Sequence, residues 1–108
     1  MKFALVIASL FLLAADPTHG ERRESAFRGK RIAETHCAQC HGIGQFDESS
    51  LPQAPPFRAI GAKISRDVLN GMLRGPVFLD HDVMPDFEPT TEQAADLAEY
   101  MLSIAEKP

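Results

Sequence analysis

The chain has 108 residues, a net charge of −4, four histidines and only two cysteines. That length holds one small domain, and no basic cluster with interleaved aromatics suits it to nucleic acid. No apolar run reaches the roughly 20 residues a membrane helix needs. The charge is unevenly spread. Residues 22–74 carry nine Lys/Arg against five Asp/Glu, whereas from Asp80 onward eight acidic residues face one lysine, Lys107. Mixed charges of this kind line solvated helix faces, or they make a dipole that orients the molecule toward a partner.

Residues 1–20 differ in character from the rest of the chain. Met1-Lys2 gives a positive start, residues 3–15 are apolar and small apart from Ser9, and Asp16-Pro17-Thr18-His19-Gly20 is polar and turn-prone. This is the pattern of a secretory signal peptide, with cleavage expected after Ala15 or Gly20. The mature domain is then 21–108, exported to the periplasm. A chain this short buries little core and gains from a staple such as a disulfide, a metal or a bulky prosthetic group.

Three helices are expected in the remainder. The first runs over about 26–36, with Ser25 as N-cap and Phe27, Ile32 and Ala33 giving an apolar side. Residues 42–57 form a loop rich in glycine, serine and proline. The second helix covers about 66–74, capped by Ser65 and stopped by Gly75-Pro76, with Val68/Met72 and Leu69/Leu73 as pairs four apart. Residues 75–90 form another proline-containing loop. The third helix covers about 91–106. Thr90 and Gln93 have capping-box spacing, and Ala94, Leu97, Met101 and Ile104 form a stripe beside Tyr100. Met72 and Met101, both on helical stripes, are expected in the core. No segment alternates like a strand. Three helices and two long loops make a poor core, and long loops in a compact domain point to a function; a flat apolar cofactor between them would supply the missing packing.

The chemistry concentrates in residues 34–44, ETHCAQCHGIG. Cys37, Cys40 and His41 admit three readings. An exported pair of cysteines forms a disulfide by default, but one closing so small a loop is a weak staple. A structural zinc site needs four protein ligands, and His19, His36 and His81 lack the usual spacing. A thioredoxin-like pair needs a βαβ setting. Cys-x-x-Cys-His is also the attachment pattern of a c-type haem: two thiols add to the porphyrin vinyl groups and the adjacent imidazole reaches the iron. The sixth iron position then needs a ligand. Met84, in the loop stretch LDHDVMPDF and directly before Pro85, does not fit a core stripe and is the expected axial sulfur, with His81 as its rival. Iron held by both His41 and Met84 has no open position, and the thioether raises the reduction potential, which suits one-electron transfer.

From about Gly29 to Ile104 the chain resembles small bacterial class I cytochromes c, a monohaem family. A helix ends in CAQCH, and after it come APPF, a short helix, VMP and a closing helix with LAEYM. The resemblance implies an all-α cytochrome c fold, about three main helices and long loops wrapped around one covalently attached haem c. It implies that Cys37 and Cys40 bind haem, that His41 and Met84 ligate iron, and that the Pro55 carbonyl accepts from the free ring nitrogen of His41. Gly29 should cross Leu97 and Tyr100. Where the family often carries an aromatic, this chain has Ala33, so the crossing is expected to be looser or filled by Phe27. The function implied is that of a periplasmic electron carrier and not an enzyme. Its partners would be redox proteins of a respiratory or periplasmic dehydrogenase chain, with no membrane span after signal cleavage. The alternative is a relay subunit of a periplasmic dehydrogenase or oxidase complex. A third class, a haem peroxidase, would require Met84 to be off the iron.

Overall fold

Five helices provide the regular structure of residues 18–79 and 87–107, which the computed structural model describes: α1 His19–His36, α2 Phe57–Lys63, α3 Arg66–Leu73, α4 Pro76–Leu79 and α5 Thr91–Ser103. There is no strand among the described residues, as an all-α fold requires. Met84, His81 and the apolar start of the chain lie outside the described residues.

The longest helix begins earlier than its apolar pattern suggests. Thr18 is the N-cap of α1, its hydroxyl accepting from the Glu21 N–H at 3.1 Å. Ser25, expected to cap, lies inside the helix and donates instead to Asp96 Oδ1 at 2.6 Å. The first turns are rich in charge and carry no apolar stripe, so hydrophobic periodicity misses them. At the far end, the backbone N–H groups of Cys37 and Ala38 both bond to the Ala33 carbonyl, at 2.9 and 3.0 Å. The Cys-x-x-Cys-His segment therefore begins where α1 stops.

Helices α1 and α5 cross at close range. A Cβ added at Gly29 would lie 2.6 Å from the Asp96 carbonyl carbon and 2.8 Å from Tyr100 Cβ. Ala33, Ala94, Leu97, Ala98 and Met101 are buried around this crossing. The crossing is tight, not loose, and Phe27 does not fill it: that side chain is 61% exposed. The reason is angular. Two residues along a helix turn about 200°, so if Gly29 faces α5, Phe27 faces away. Arg28 secures the crossing from its edge, with Nε 3.0 Å from Asp96 Oδ2 and Nη2 3.2 Å from Oδ1.

The closing helix starts as its sequence predicts. Thr90 Oγ1 accepts from the Gln93 N–H at 3.1 Å, and Gln93 Oε1 accepts from the Thr90 N–H at 2.9 Å, so both halves of the capping box are made. The two shorter packing helices lean on α5. In α3 the pair Leu69 and Leu73 is buried, while Arg66 forks onto Glu99 at 2.9 and 3.0 Å. Ser65 takes the N-cap position, but its side chain makes no capping bond. In α2, which falls just past the loop expected over 42–57, Gly61 lets α5 approach; a Cβ there would be 2.9 Å from the Met101 carbonyl carbon. Finally, Phe78 of α4 meets Phe87 edge to face, with centroids 6.1 Å apart, and Phe87 stacks on His36 at 3.9 Å.

Candidate cofactor site

Helices α2, α3, α4 and α5 surround one side of the segment after α1, and the space they leave is an apolar cleft of about 240 Å³. Cys37 and His41 enter it from the attachment segment. Its walls are Phe57, Ile60 and Ile64 from α2 and its C-cap, Leu69, Met72 and Leu73 from α3, Val77 and Phe78 from α4, and Leu97 and Met101 from α5. Pro55 closes one edge. Among the described residues of this wall, no side chain other than the cysteine and the histidine carries a polar nitrogen or oxygen.

The histidine is oriented. His41 Nδ1 lies 2.7 Å from the Pro55 carbonyl oxygen. A carbonyl only accepts, so Nδ1 carries the proton and donates, which leaves Nε2 with a free lone pair. The ring also tilts against Phe57 at 5.2 Å. The backbone on either side of the next peptide is held as well. Gly42 N–H donates to Ser49 Oγ at 2.9 Å, the Phe57 N–H donates to the Gly42 carbonyl at 2.8 Å, and the Tyr100 hydroxyl donates to the Ile43 carbonyl at 2.5 Å. Burial, reinforced by the negative charges of Glu34 and Asp47, pushes the Tyr100 phenol up, so it remains a donor through neutral pH.

Both cysteines are free thiols. Burial pushes the Cys37 thiol up to about 11. A thiol held neutral at physiological pH is a poor nucleophile, which disfavours Cys37 as the attacking thiol of a redox pair. Nor do the described residues contain any group of three His, Cys, Asp or Glu side chains able to hold a metal ion. His36, a conceivable zinc ligand by sequence, is stacked on Phe87 instead.

Some of this site departs from expectation. Met72, expected in the core, stands at the cleft rim and is 36% exposed. The α2 wall escapes sequence reading although Phe57, Ile60, Gly61 and Ile64 have the 0, 3, 4, 7 spacing of a helical face; seven residues after a proline run is a short signal. Ser49 and Tyr100, which fix the backbone beside His41, carry no motif of their own.

Two free thiols three residues apart and one oriented imidazole at a dry cleft define a c-type cytochrome. The chain belongs to the family of cytochrome c oxidase, cbb3-type, subunit III, whose model matches residues 24–101. Neither the curated proteins nor the solved structures yield a match. The cofactor of a cytochrome c domain is haem c, covalently bound and carrying iron, and the residues present fit it: among the described residues the cleft wall is apolar, as a porphyrin face requires, apart from Cys37 and His41.

Proposed function

We propose that the protein transfers single electrons in the periplasm through a haem c held by Cys37, Cys40, His41 and Met84. The observation that carries this reading is the 2.7 Å bond from His41 Nδ1 to the Pro55 carbonyl at the edge of the apolar cleft. Haem c supplies the one-electron couple of its iron when bound. Every other contribution comes from the chain. The Cys37 and Cys40 sulfurs anchor the group as thioethers. His41 presents Nε2 as a ligand, and the Pro55 carbonyl fixes the ring and raises its donor strength. The α2, α3 and α5 walls exclude water, which disfavours the more highly charged ferric state and so raises the potential.

Met84 is the proposed second ligand. It belongs to residues 80–86, whose two flanks are both near the cleft: Phe78 lines it, and Phe87 stacks on His36 beside Cys37. A thioether in that position would leave the iron without an open site, which favours electron transfer over peroxide chemistry. The test is spectroscopic. The purified protein should give the reduced spectrum of a covalent c-type haem. Met84→Ala should remove the ferric sulfur-to-iron band and admit cyanide and carbon monoxide rapidly. A band that survives the substitution, or rapid cyanide binding by the unsubstituted protein, sinks the ligand assignment.

The family match favours a second reading of the context. A domain related to an oxidase subunit suits a relay held in a respiratory complex as well as a free shuttle. No helix among the described residues is long and apolar enough to cross a membrane. Stable co-purification with larger subunits would mark a relay. A salt-sensitive encounter with a small partner would mark a shuttle.

A further inference from the structure

Residues 42–51, directly after the attachment motif, form a loop that is tied on every side. Gly42 N–H bonds to Ser49 Oγ within it, and Ser50 Oγ donates to the Gln39 carbonyl at 2.5 Å. The Leu51 N–H donates to the Cys40 carbonyl at 3.2 Å. From α5 comes the Tyr100 hydroxyl on the Ile43 carbonyl, and from α2 the Arg58 guanidinium on the Asp47 carbonyl. Gly42 and Gly44 let the loop fold onto itself; a Cβ at Gly44 would lie 2.9 Å from the Asp47 carboxylate.

At the tip of this pinned loop Phe46 is 88% exposed. The backbone on both sides of it is tethered, at Ile43 and at Asp47, and the ring stands in solvent. The surrounding charge is negative. Asp47 and Glu48 come directly after the ring, and the Glu48 carboxylate is 90% exposed. Glu106 approaches from the C-terminal end. Lys107 follows Glu106 in the chain, and Arg58, only 14% exposed, lies 3.0 Å from Glu106 and 3.6 Å from Glu48. It neutralises part of the cluster from beneath and leaves the outer surface acidic. Phe27 is also exposed, but it stands ten residues before Cys37, whereas the Phe46 loop is hydrogen-bonded to Gln39 and Cys40 themselves.

We infer that Phe46, followed directly by Asp47 and Glu48, is the docking point for a basic redox protein, one with an apolar recess rimmed by Lys and Arg. The inference rests on the electron-transfer reading of the haem site. Opposite charges steer the encounter, the ring fills the recess as an aromatic anchor, and a loop already fixed loses little freedom on binding. One electron then leaves the reduced protein and reduces the oxidised partner, with no bond made or broken. Contact through the Ser50–Gln39 and Leu51–Cys40 bonds brings the partner beside the attachment segment.

The experiment is stopped-flow oxidation of the reduced holoprotein by a ferric, lysine-rich c-type cytochrome, with ferricyanide as a small control oxidant. The rate with the basic protein should fall as salt rises. Phe46→Ala should lower it about tenfold, as loss of an interface anchor does, yet leave the ferricyanide rate unchanged. Glu48→Lys should slow the protein reaction at low salt and flatten its salt dependence, and Phe27→Ala should do neither. If Phe46→Ala and Glu48→Lys both react with the basic protein as the unsubstituted chain does, while ferricyanide still oxidises all of them, the docking surface is refuted and the electron-transfer reading stands. If the reduced protein passes no electron to either oxidant, both fail together.

Discussion

One substitution, glycine to alanine, should act in opposite directions at two helical sites. In α1, Gly29 sits against α5, and an added Cβ would be 2.6 Å from the Asp96 carbonyl carbon and 2.8 Å from Tyr100 Cβ. Ordinary contact begins at 3.4 Å, and the Asp96 carbonyl oxygen lies nearer still than its carbon, so the helices must part by at least about 0.8 Å at this point. The obstacle is main chain, which no rotamer change relieves, so the cost belongs at the upper end of overpacking, about 3 kcal/mol. Better helix propensity returns up to about 1 kcal/mol. The net loss is then about 2 kcal/mol, a fall of roughly 10 °C in Tm for a domain this small. In α3, Gly71 has no neighbouring heavy atom of the described residues within 4 Å of the same added carbon. There the propensity gain is unopposed, and Gly71→Ala should stabilise by about 0.5–1 kcal/mol. Guanidinium chloride unfolding of the holoproteins, monitored by circular dichroism at unchanged m-value, reads both. If Gly29→Ala matches the unsubstituted stability, or Gly71→Ala loses as much as Gly29→Ala, the account of the α1–α5 crossing is wrong.

The cofactor site carries two further expected outcomes. Tyr100→Phe removes a buried donor and leaves the Ile43 carbonyl unpaired, so it should cost about 1–3 kcal/mol; a change below a few tenths would show that water replaces the hydroxyl. In the closed fold with both thiols free, burial pushes Cys37 up to about 11. Because the thiolate is the reactive form, its alkylation by iodoacetamide should be slow at pH 8 and climb with pH until about 11, as mass spectrometry of the modified peptide would record. A plateau already reached by pH 9 would contradict the burial of that sulfur.

What is legible in the sequence is local. The Thr90–Gln93 box spans three residues and needs no tertiary context, and both its bonds are made. Family resemblance places Gly29 and Tyr100 at one crossing, and they meet there. The Pro55 carbonyl is expected from the same source and lies 2.7 Å from His41 Nδ1. What stays hidden depends on distant partners. Ser25 looks like a cap until Asp96, 71 residues later, takes its hydroxyl. Met72 looks like core because its stripe is helical, but only the packing of α3 on α5 decides that Leu69 and Leu73 turn inward and Met72 reaches the cleft rim. Phe27 suits the crossing by composition, and helical geometry turns it outward.

The α1–α5 crossing joins the two ends of the domain, while Cys37, Cys40 and His41 all fall within five residues of the end of α1. Closing that crossing means bringing together segments some 70 residues apart, a slow, non-local step. If a haem is joined to Cys37 and Cys40 as proposed, the reaction needs only the short segment itself and accessible sulfurs, and Cys37 is partly buried in the closed molecule. The architecture therefore imposes an order of assembly. On the proposed reading of the site, attachment belongs to the open chain, and the docking of the last helix onto the first follows it.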